Sequence, residues 1–274
     1  MRRKKKALSI LKNVVLIILA VIYMIPIAMM LLGSFKDAGQ AMAFDLSWPK
    51  TFHPENYLYV IENGKVISGY INNIIYTVGA TVFTIVCGAF AGIIIGRRND
   101  SSCVGLYYYF LLGLTITIQT ASEFALLKAL HIYGSRFSII AIYVALRMPF
   151  TVMTYSSFIK GISKEIDEAA MIDGATPTQL IVQILMPILK PITATNIVLS
   201  AINCWNQFMV PLYYLNSGDK WPITLSVYNF FGMEARNWNY VFAILTLTVI
   251  PIVIVFLCFQ KYIVEGMTSG AVKG

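Results

Sequence analysis

Long apolar runs separated by short polar segments dominate the pattern of this chain. Each run is almost free of charged residues and exceeds the roughly 18 residues that a helix needs to cross a bilayer. No ten-residue segments of alternating hydrophobicity recur, so the pattern predicts helices and not the strands of a barrel. Six membrane-spanning helices are predicted in this way, over residues 13–35, 71–96, 104–127, 137–159, 191–213 and 239–260.

The composition agrees with a membrane protein. Of the 274 residues, 58% are apolar and 12% are charged, and the mean hydropathy is +0.71. A soluble domain needs a charged surface, which about 25% charged residues normally supply. The composition therefore excludes a water-soluble enzyme, a disordered chain and a small disulfide scaffold. It favours an all-α fold with a single polytopic membrane domain over residues 13–262.

The distribution of basic residues predicts the orientation. The net charge is +8, and six lysines and arginines lie within residues 1–12, so the excess charge forms a tail and not a groove for nucleic acid. With this tail inside, the inner segments hold 13 lysines and arginines and the outer loops hold seven. By the positive-inside rule, both termini are predicted to be cytoplasmic, with residues 263–274 as a second tail.

Three glycines at four-residue spacing, Gly88, Gly92 and Gly96, lie in the second predicted span. They leave a smooth strip along one face of the helix, which lets another helix backbone approach closely. We expect this strip to pack against another helix of the chain or against a partner.

Motifs for bond-making chemistry are lacking from the sequence. The two histidines, His53 and His131, fall in separate predicted outer loops, and there is no HExxH, phosphate-binding loop or GxSxG elbow. No catalytic residue and no metal site are predicted. The ionisable candidates at membrane depth are Glu123 and Arg147, which favours conduction of a solute over chemistry. The energy must then come from an ion gradient or from another subunit.

The predicted inner loop over residues 160–190 carries helix signals of its own. Ser163 is placed to cap a helix whose first turn is acidic, which suits the helix dipole. Gly174 is placed to end that helix in a left-handed turn, and Thr176 with Gln179 makes a capping box for a second helix. The first helix bears small alanines, which permit close docking into another protein. A plain connecting loop is the alternative.

Six residues of this loop keep a fixed spacing: Glu168, Ala169, Ala170, Gly174, Ile184 and Pro187. The arrangement resembles the EAA signature of ABC-importer permeases, EAA-x3-G-x9-I-x-L-P, with Met186 in place of its Leu. Further matches over nearly the whole chain resemble the carbohydrate subfamily, specifically the maltose-type second permease. They are Trp48-Pro49 with Asn56-Tyr57, Met148-Pro149-Phe150, Trp205-Asn206-Gln207-Phe208 and the C-terminal QKYIVEGMTSGAVKG.

The resemblance implies the permease subunit of an ATP-driven ABC importer for a sugar or oligosaccharide, in a bacterial cell membrane, working by alternating access. Its implied partners are a second, homologous permease, two ATPase subunits and an extracellular solute-binding protein. The ATPases would use ATP and Mg²⁺, whereas this chain would bind no cofactor and would not be an enzyme. A coupling helix at about residues 164–174 would dock in the ATPase, through Glu165, Glu168, Ala169, Ala170, Asp173 and Gly174.

Seven residues that place polar or aromatic groups in or near the spans are candidates for the substrate path: Gln119, Glu123, Arg147, Asn203, Trp205, Asn206 and Gln207. For Glu123 and Arg147 the sequence leaves open a structural ion pair, a role in the path, or side chains that reach the membrane surface. Trp205 is a candidate sugar platform or a packing residue. In the maltose-type system the other permease contacts the sugar. A second interpretation is therefore that this chain makes no contact with the sugar.

Two other functions are compatible with the sequence. A self-sufficient secondary transporter is expected to show midplane charges and inverted repeats of broken helices, and no convincing inverted repeat is found. The second is an ABC permease for another solute, such as a phosphate ester or a peptide. A phosphate path is expected to carry more than one arginine. The sequence does not specify which sugar would be carried.

Overall fold

The computed structural model describes residues 2–98, 100–116, 119–230 and 237–271, with side chains for residues 9–260 of these ranges. All of the regular elements in these ranges are helices. The main helices are, in chain order, α1 (Arg2–Gly33), α2 (Ala38–Ala41), α3 (Glu55–Asn63), α4 (Val66–Arg97), α5 (Ser101–Gly113), α6 (Thr120–Ala129), α7 (Arg136–Lys160), α8 (Glu165–Ile172), α9 (Pro177–Ile188), α10 (Lys190–Trp205), α11 (Met209–Tyr214), α12 (Ile223–Ser226) and α13 (Trp238–Ala271). A π-helical stretch, Leu180–Leu185, lies within α9, and two short 3₁₀ helices cover Gly218–Lys220 and Val227–Asn229.

Within the part of the chain that the structure describes, four helical stretches are long and apolar enough to cross a membrane: Ser9–Gly33, Val66–Arg97, Arg136–Lys160 and Trp238–Gln260. They coincide closely with the first, second, fourth and sixth predicted spans. A fifth candidate consists of α9 and α10, which are bent by 78° at their junction.

The third predicted span differs from the structure. The sequence predicts one helix over residues 104–127, whereas α5 and α6 are separate helices of 13 and 10 residues. At the end of α5 the amides of Leu114 and Thr115 donate to carbonyls three residues back, and not four. This tighter pattern is common where an α-helix ends. Neither α5 nor α6 alone has the length of a span.

The fifth predicted span, over residues 191–213, also differs from an unbroken helix. α10 stops at Trp205 and α11 begins only at Met209. At the break, the amide of Gln207 donates to the carbonyl of Cys204, three residues back. The break places a stretch of irregular backbone beside the polar residues of the Trp205-Asn206-Gln207 motif.

The chain divides into two compact units, and the first comprises residues 1–67 and 223–250. Asn56 of α3 is a buried polar residue of this unit. Its Nδ2 donates to the carbonyl oxygens of Ser34 at 2.9 Å and Lys36 at 3.0 Å, and its Oδ1 accepts from Nδ2 of Asn239 at 2.9 Å. One side chain therefore satisfies carbonyls just beyond the end of α1 and joins α3 to α13.

The second unit comprises residues 68–222 and 251–274 and contains α5 to α11 with most of α4. The predicted packing of the glycine strip is confirmed, and its neighbour is α7. A Cβ atom on Gly92 would lie 2.5 Å from Cβ of Tyr155 and 2.8 Å from the carbonyl oxygen of Val152. A Cβ atom on Gly96 would lie closer still to the side chain of Ile159. The two helices touch because these positions have no side chains.

Two hydrophobic clusters fill the second unit. One contains Tyr76, Tyr143, Cys204 and Tyr214 and lies where α4, α7, α10 and α11 meet. The other includes, from α4, α7, α8, α9 and α10, the residues Ala89, Ile93, Tyr155, Ile159, Ala170, Leu180, Leu185 and Ile192. α8 packs on the second cluster through Ala170. The first cluster contains residues on both sides of the break between α10 and α11.

Candidate functional site

The helix–turn–helix predicted within residues 160–190 is confirmed. The Oγ atom of Ser163 accepts a hydrogen bond from the amide of Glu165 at 3.2 Å, and α8 follows with an acidic first turn. Gly174 has a φ of +84°, a left-handed conformation that ends the helix. Gln179 Oε1 then accepts from the amide of Thr176 at 2.8 Å, completing the capping box of α9.

The two faces of α8 have different surroundings. The exposed face and the following turn contain five of the six predicted coupling residues, together with two large apolar side chains: Glu165, Glu168, Ala169, Met171, Ile172, Asp173 and Gly174. Ile172 is 86% exposed. An exposed stripe with small, acidic and apolar side chains is suited to contact another protein.

Ala170 differs from the other predicted coupling residues. We expected it beside Ala169 on the docking surface, but the structure buries it in the cluster that contains Tyr155 and Ile159. The physical reason is helical spacing, because Ala170 lies three residues after Asp167 and shares its face. Ala170 packs α8 onto its own chain, whereas Ala169 faces outward.

Arg97, the last residue of α4, fixes α8 in place. Its Nη2 donates to Oδ1 of Asp167 at 2.9 Å, and its Nε lies 2.9 Å from Oδ2 of the same carboxylate. Its Nη1 donates to the carbonyl oxygens of Ile159 at 3.1 Å and Ile162 at 2.8 Å, at the end of α7. One guanidinium group thus joins the ends of α4 and α7 to α8.

Sequence reasoning missed this contact. In the sequence, Arg97 is one of the 13 inner basic residues that predict the orientation, and Asp167 is one of several acidic residues in the first turn of α8. The signal available was periodicity: Asp167 is on the face opposite to Ala169, so it points towards the membrane-domain side of the helix. Its partner was not predictable, since Arg97 is 70 residues earlier in the chain.

The break between α10 and α11 forms one wall of an open cleft of about 450 Å³. We call it the polar cleft, and its lining residues are Arg147, Phe150, Leu199, Ile202, Asn203, Asn206 and Gln207. Four of the seven predicted substrate-path residues therefore lie together here. Gln207 Nε2 is 3.5 Å from Oδ1 of Asn203, at the limit of a hydrogen bond.

Arg147 is the charged group of the polar cleft. Its guanidinium carbon lies 5.0 Å from the centre of the Phe150 ring, on the next turn of α7. Its Nε is buried and has no hydrogen-bond partner in the structure. Among the described residues no carboxylate forms an ion pair with it. A structural ion pair between Arg147 and Glu123, one of the three interpretations left open, is therefore not formed.

The other three predicted substrate-path residues lie elsewhere. Glu123 of α6 accepts a hydrogen bond at 2.7 Å from the hydroxyl of Tyr214, a fully buried residue of α11. Gln119 is exposed at the start of α6. Trp205 is buried with its ring 6.3 Å from that of Tyr70, so it packs inside the unit and presents no platform to the polar cleft.

Known proteins resemble this chain over most of its length. The family described as "Binding-protein-dependent transport system inner membrane component" matches residues 88–269. The "Probable ABC transporter permease protein YurM" of Bacillus subtilis (strain 168) is 30% identical over 262 residues, which are 94% of this chain and 86% of YurM. The "Melibiose/raffinose/stachyose import permease protein MelC" of the same organism is 32% identical over 263 residues, which are 94% of each protein.

A solved structure shares the fold. It is a chain from the crystal structure of a bacterial ABC transporter involved in the import of the acidic polysaccharide alginate. The TM-score is 0.82 at 21% sequence identity, and the match covers 95% of this chain and 98% of that one.

Proposed function

This chain belongs to the family of binding-protein-dependent transport system inner membrane components, and from that membership we propose that it is one of two permeases in an ATP-driven ABC importer for a sugar or oligosaccharide. Like its relatives, it is a transport permease of the cell membrane and not an enzyme. The family implies a solute-binding protein and ATPase partners. The proposed assembly adds a second, homologous permease and two ATPase subunits, which use the ATP and Mg²⁺.

The observation that carries the proposal is the two-sided surroundings of α8. Its outer face and following turn are exposed, as a docking element requires, while Asp167 and Ala170 hold its inner face on the same unit. We propose that α8 is the coupling helix. When the ATPases close on ATP, they push α8, and the Arg97–Asp167 pair passes that displacement to α4 and α7.

The polar cleft provides the other end of this mechanism. It lies between α7 and α10, and α7 is held to α8 through the carbonyls that Arg97 caps. Displacement of α7 relative to α10 changes the width of the polar cleft. In alternating access, this change would open the path to one side of the membrane while closing it to the other.

The proposed topology has six spans with both termini in the cytoplasm. α5 and α6 together make the third span. α10 with α11 makes the fifth, and α9, which is bent by 78° from α10, belongs to the inner loop. This arrangement places Arg97, Lys160 and α8 on one side, with the basic N-terminal tail. It agrees with the excess of lysine and arginine in those segments.

A sugar or oligosaccharide is the proposed substrate for two reasons. MelC is named for import of melibiose, raffinose and stachyose, and it is 32% identical over 94% of this chain. The polar cleft supplies carboxamides from Asn203, Asn206 and Gln207, each able to donate to and accept from hydroxyl groups.

Affinity purification tests the assembly. A tagged chain is extracted from its native host in mild detergent, and stoichiometric partners are identified by mass spectrometry. We expect a second permease and an ATPase, and we expect Gly174→Asp to lose the ATPase alone. A chain that purifies alone and still transports with an ion gradient would show a secondary transporter instead.

A further inference from the structure

Arg147 is a charge at the middle of a span. It lies eleven residues after the start of α7 at Arg136 and thirteen before its end at Lys160. At 1.5 Å per residue this depth is about 16 Å, beyond the reach of an arginine side chain to the membrane surface. A charged side chain at such depth is expensive and requires a compensating group.

The polar cleft does not supply that group from this chain. Its lining contains no aspartate or glutamate in the part of the chain that the structure describes. The Nε of Arg147 is buried and unpartnered, while the carboxamides beside it are neutral. Unlike Arg97, whose charge is balanced by Asp167, Arg147 carries an uncompensated positive charge.

The backbone at the polar cleft is irregular, because one helix ends there and the next begins only after three intervening residues. Asn206 lies in the break after α10, within the proposed fifth span. Irregular backbone at membrane depth is tolerated where it is buried in protein or lines a water-filled cavity. Here the break borders a cleft of about 450 Å³, and Asn206 is exposed to it.

We propose that the polar cleft binds a carboxylated saccharide, with the guanidinium of Arg147 on the carboxylate and the carboxamides of Asn203, Asn206 and Gln207 on hydroxyl groups. This inference rests on the proposed import function and names the class of its substrate. A guanidinium fork matches the two oxygens of a carboxylate. The Phe150 ring adds an apolar surface, which suits the C–H face of a pyranose ring.

A carboxylate fits this site better than a phosphate. Arg147 is the one cation among the described residues that line the polar cleft. One guanidinium neutralises the single charge of a carboxylate, whereas a phosphate monoester carries close to two negative charges at neutral pH. A neutral sugar would leave Arg147 uncompensated.

The test uses the complete importer, with both permeases, the ATPases and the binding protein, in lipid nanodiscs. The probes are matched pairs: di- and trisaccharides of galacturonate and glucuronate against those of galactose and glucose, and sialyl-lactose against lactose. Stimulated ATP hydrolysis is measured for wild type, Arg147→Gln and Arg147→Lys. Arg98→Gln is the control, because Arg98 is an exposed arginine outside the polar cleft.

We expect at least one acidic probe to stimulate the wild type about tenfold more than its neutral partner, the scale of one charge-assisted hydrogen bond. Arg147→Gln should abolish the difference, Arg147→Lys should keep part of it, and Arg98→Gln should match the wild type. Equal stimulation by neutral partners, or a preference that survives in Arg147→Gln, overturns the inference.

Two further outcomes also decide against it. If Arg147→Gln and Arg147→Lys purify without the second permease, Arg147 pairs with a carboxylate of that subunit and not with substrate. If no saccharide of either kind stimulates hydrolysis, the proposed sugar import fails as well. Stimulation by neutral saccharides alone would agree with the proposed sugar import and would reject only the proposal that the substrate carries a carboxylate.

Discussion

Arg97 and Asp167 form a buried ion pair, with 2.9 Å between Arg97 Nη2 and Asp167 Oδ1. Both side chains are 11% exposed. The pair attaches α8 to α4 through two residues that are 70 positions apart in the chain. Ala170 supplies the apolar attachment beside it. In the proposed coupling, a displacement applied to α8 would reach α4 and α7 through this contact.

Removing either partner should uncouple the transporter. Asp167→Asn or Arg97→Met leaves an unpaired buried charge or an unsatisfied polar group, and losing one member of a buried pair costs about 3 kcal/mol. We expect the assembled importer to hydrolyse ATP without transport, measured as ATP consumed per sugar taken up. Arg98→Met is the matched control, since its pair with Asp100 is exposed and contributes no more than about 1 kcal/mol.

Equal uncoupling by Arg98→Met would indicate a general effect of basic charge at this end of α4. Normal coupling in both Arg97→Met and Asp167→Asn would show that apolar packing alone carries the displacement. The double variant Arg97→Met with Asp167→Leu is expected to regain stability but not full coupling, because the polar link is gone.

Ala169 and Ala170 are neighbours of identical type with opposite exposure, which makes them a matched pair. Ala169→Glu should leave the thermal stability of the permease unchanged and remove the ATPase from the purified complex. Ala170→Glu should lower the stability of the permease itself, because it buries a carboxylate in the cluster around Tyr155. Thermal unfolding and partner recovery are measured on both. Similar stability loss in the two variants would contradict the assignment of the faces.

Gly92 should tolerate no side chain. In Gly92→Ala the new methyl meets Tyr155 Cβ at 2.5 Å and the Val152 carbonyl oxygen at 2.8 Å, so α4 and α7 must separate. Overpacking of this kind costs about 1–3 kcal/mol. Gly105→Ala is the control, because nothing lies within 4 Å of its Cβ position, and it should be neutral or slightly stabilising. Thermal unfolding in nanodiscs distinguishes them; equal midpoints would contradict the close contact.

Asp45 gives a prediction for acid stability in the first unit. Its carboxylate lies 2.6 Å from Nζ of the buried Lys36, and hydrogen bonds from Lys36 and Ser47 lower the pKa of Asp45 to about 2. A lowered pKa means that the pair contributes stability above pH about 4, and this contribution is lost as the pH falls towards 2. Asp45→Asn should therefore unfold at a lower temperature than wild type at pH 7, with the difference narrowing between pH 4 and pH 2. A difference in unfolding temperature that stays the same from pH 7 to pH 2 would contradict the lowered pKa of Asp45.

The sequence predicted the local features of the candidate site better than its long-range contacts. The turn at Gly174 and the capping box at Thr176 follow from residue types at fixed spacing, and both are confirmed. The close approach at Gly92 was also predictable, although not which helix approaches it. The Arg97–Asp167 pair depends on packing between distant segments, which one sequence does not specify.

Hydropathy also failed at the helix breaks. Residues 104–127 and 191–213 are apolar on average despite scattered polar residues, so an average over a window cannot detect the ends of α5 at Gly113 and of α10 at Trp205. Near α10, a polar motif in an apolar run was the available signal. It marked Asn206 and Gln207, which line the polar cleft together with Arg147, but it also included Trp205, whose side chain is buried.

The most direct test of the account is uptake into proteoliposomes by the reconstituted importer, with ATP inside or outside the vesicles and no ion gradient. Labelled saccharide, identified beforehand by its binding protein, is measured with the wild type and with Asp167→Asn. We predict uptake that requires ATP on the side of the ATPases and falls to background in Asp167→Asn, while ATP hydrolysis continues. In a parallel run with ATP omitted, uptake driven by an imposed proton or sodium gradient would contradict the proposed ATP-driven import.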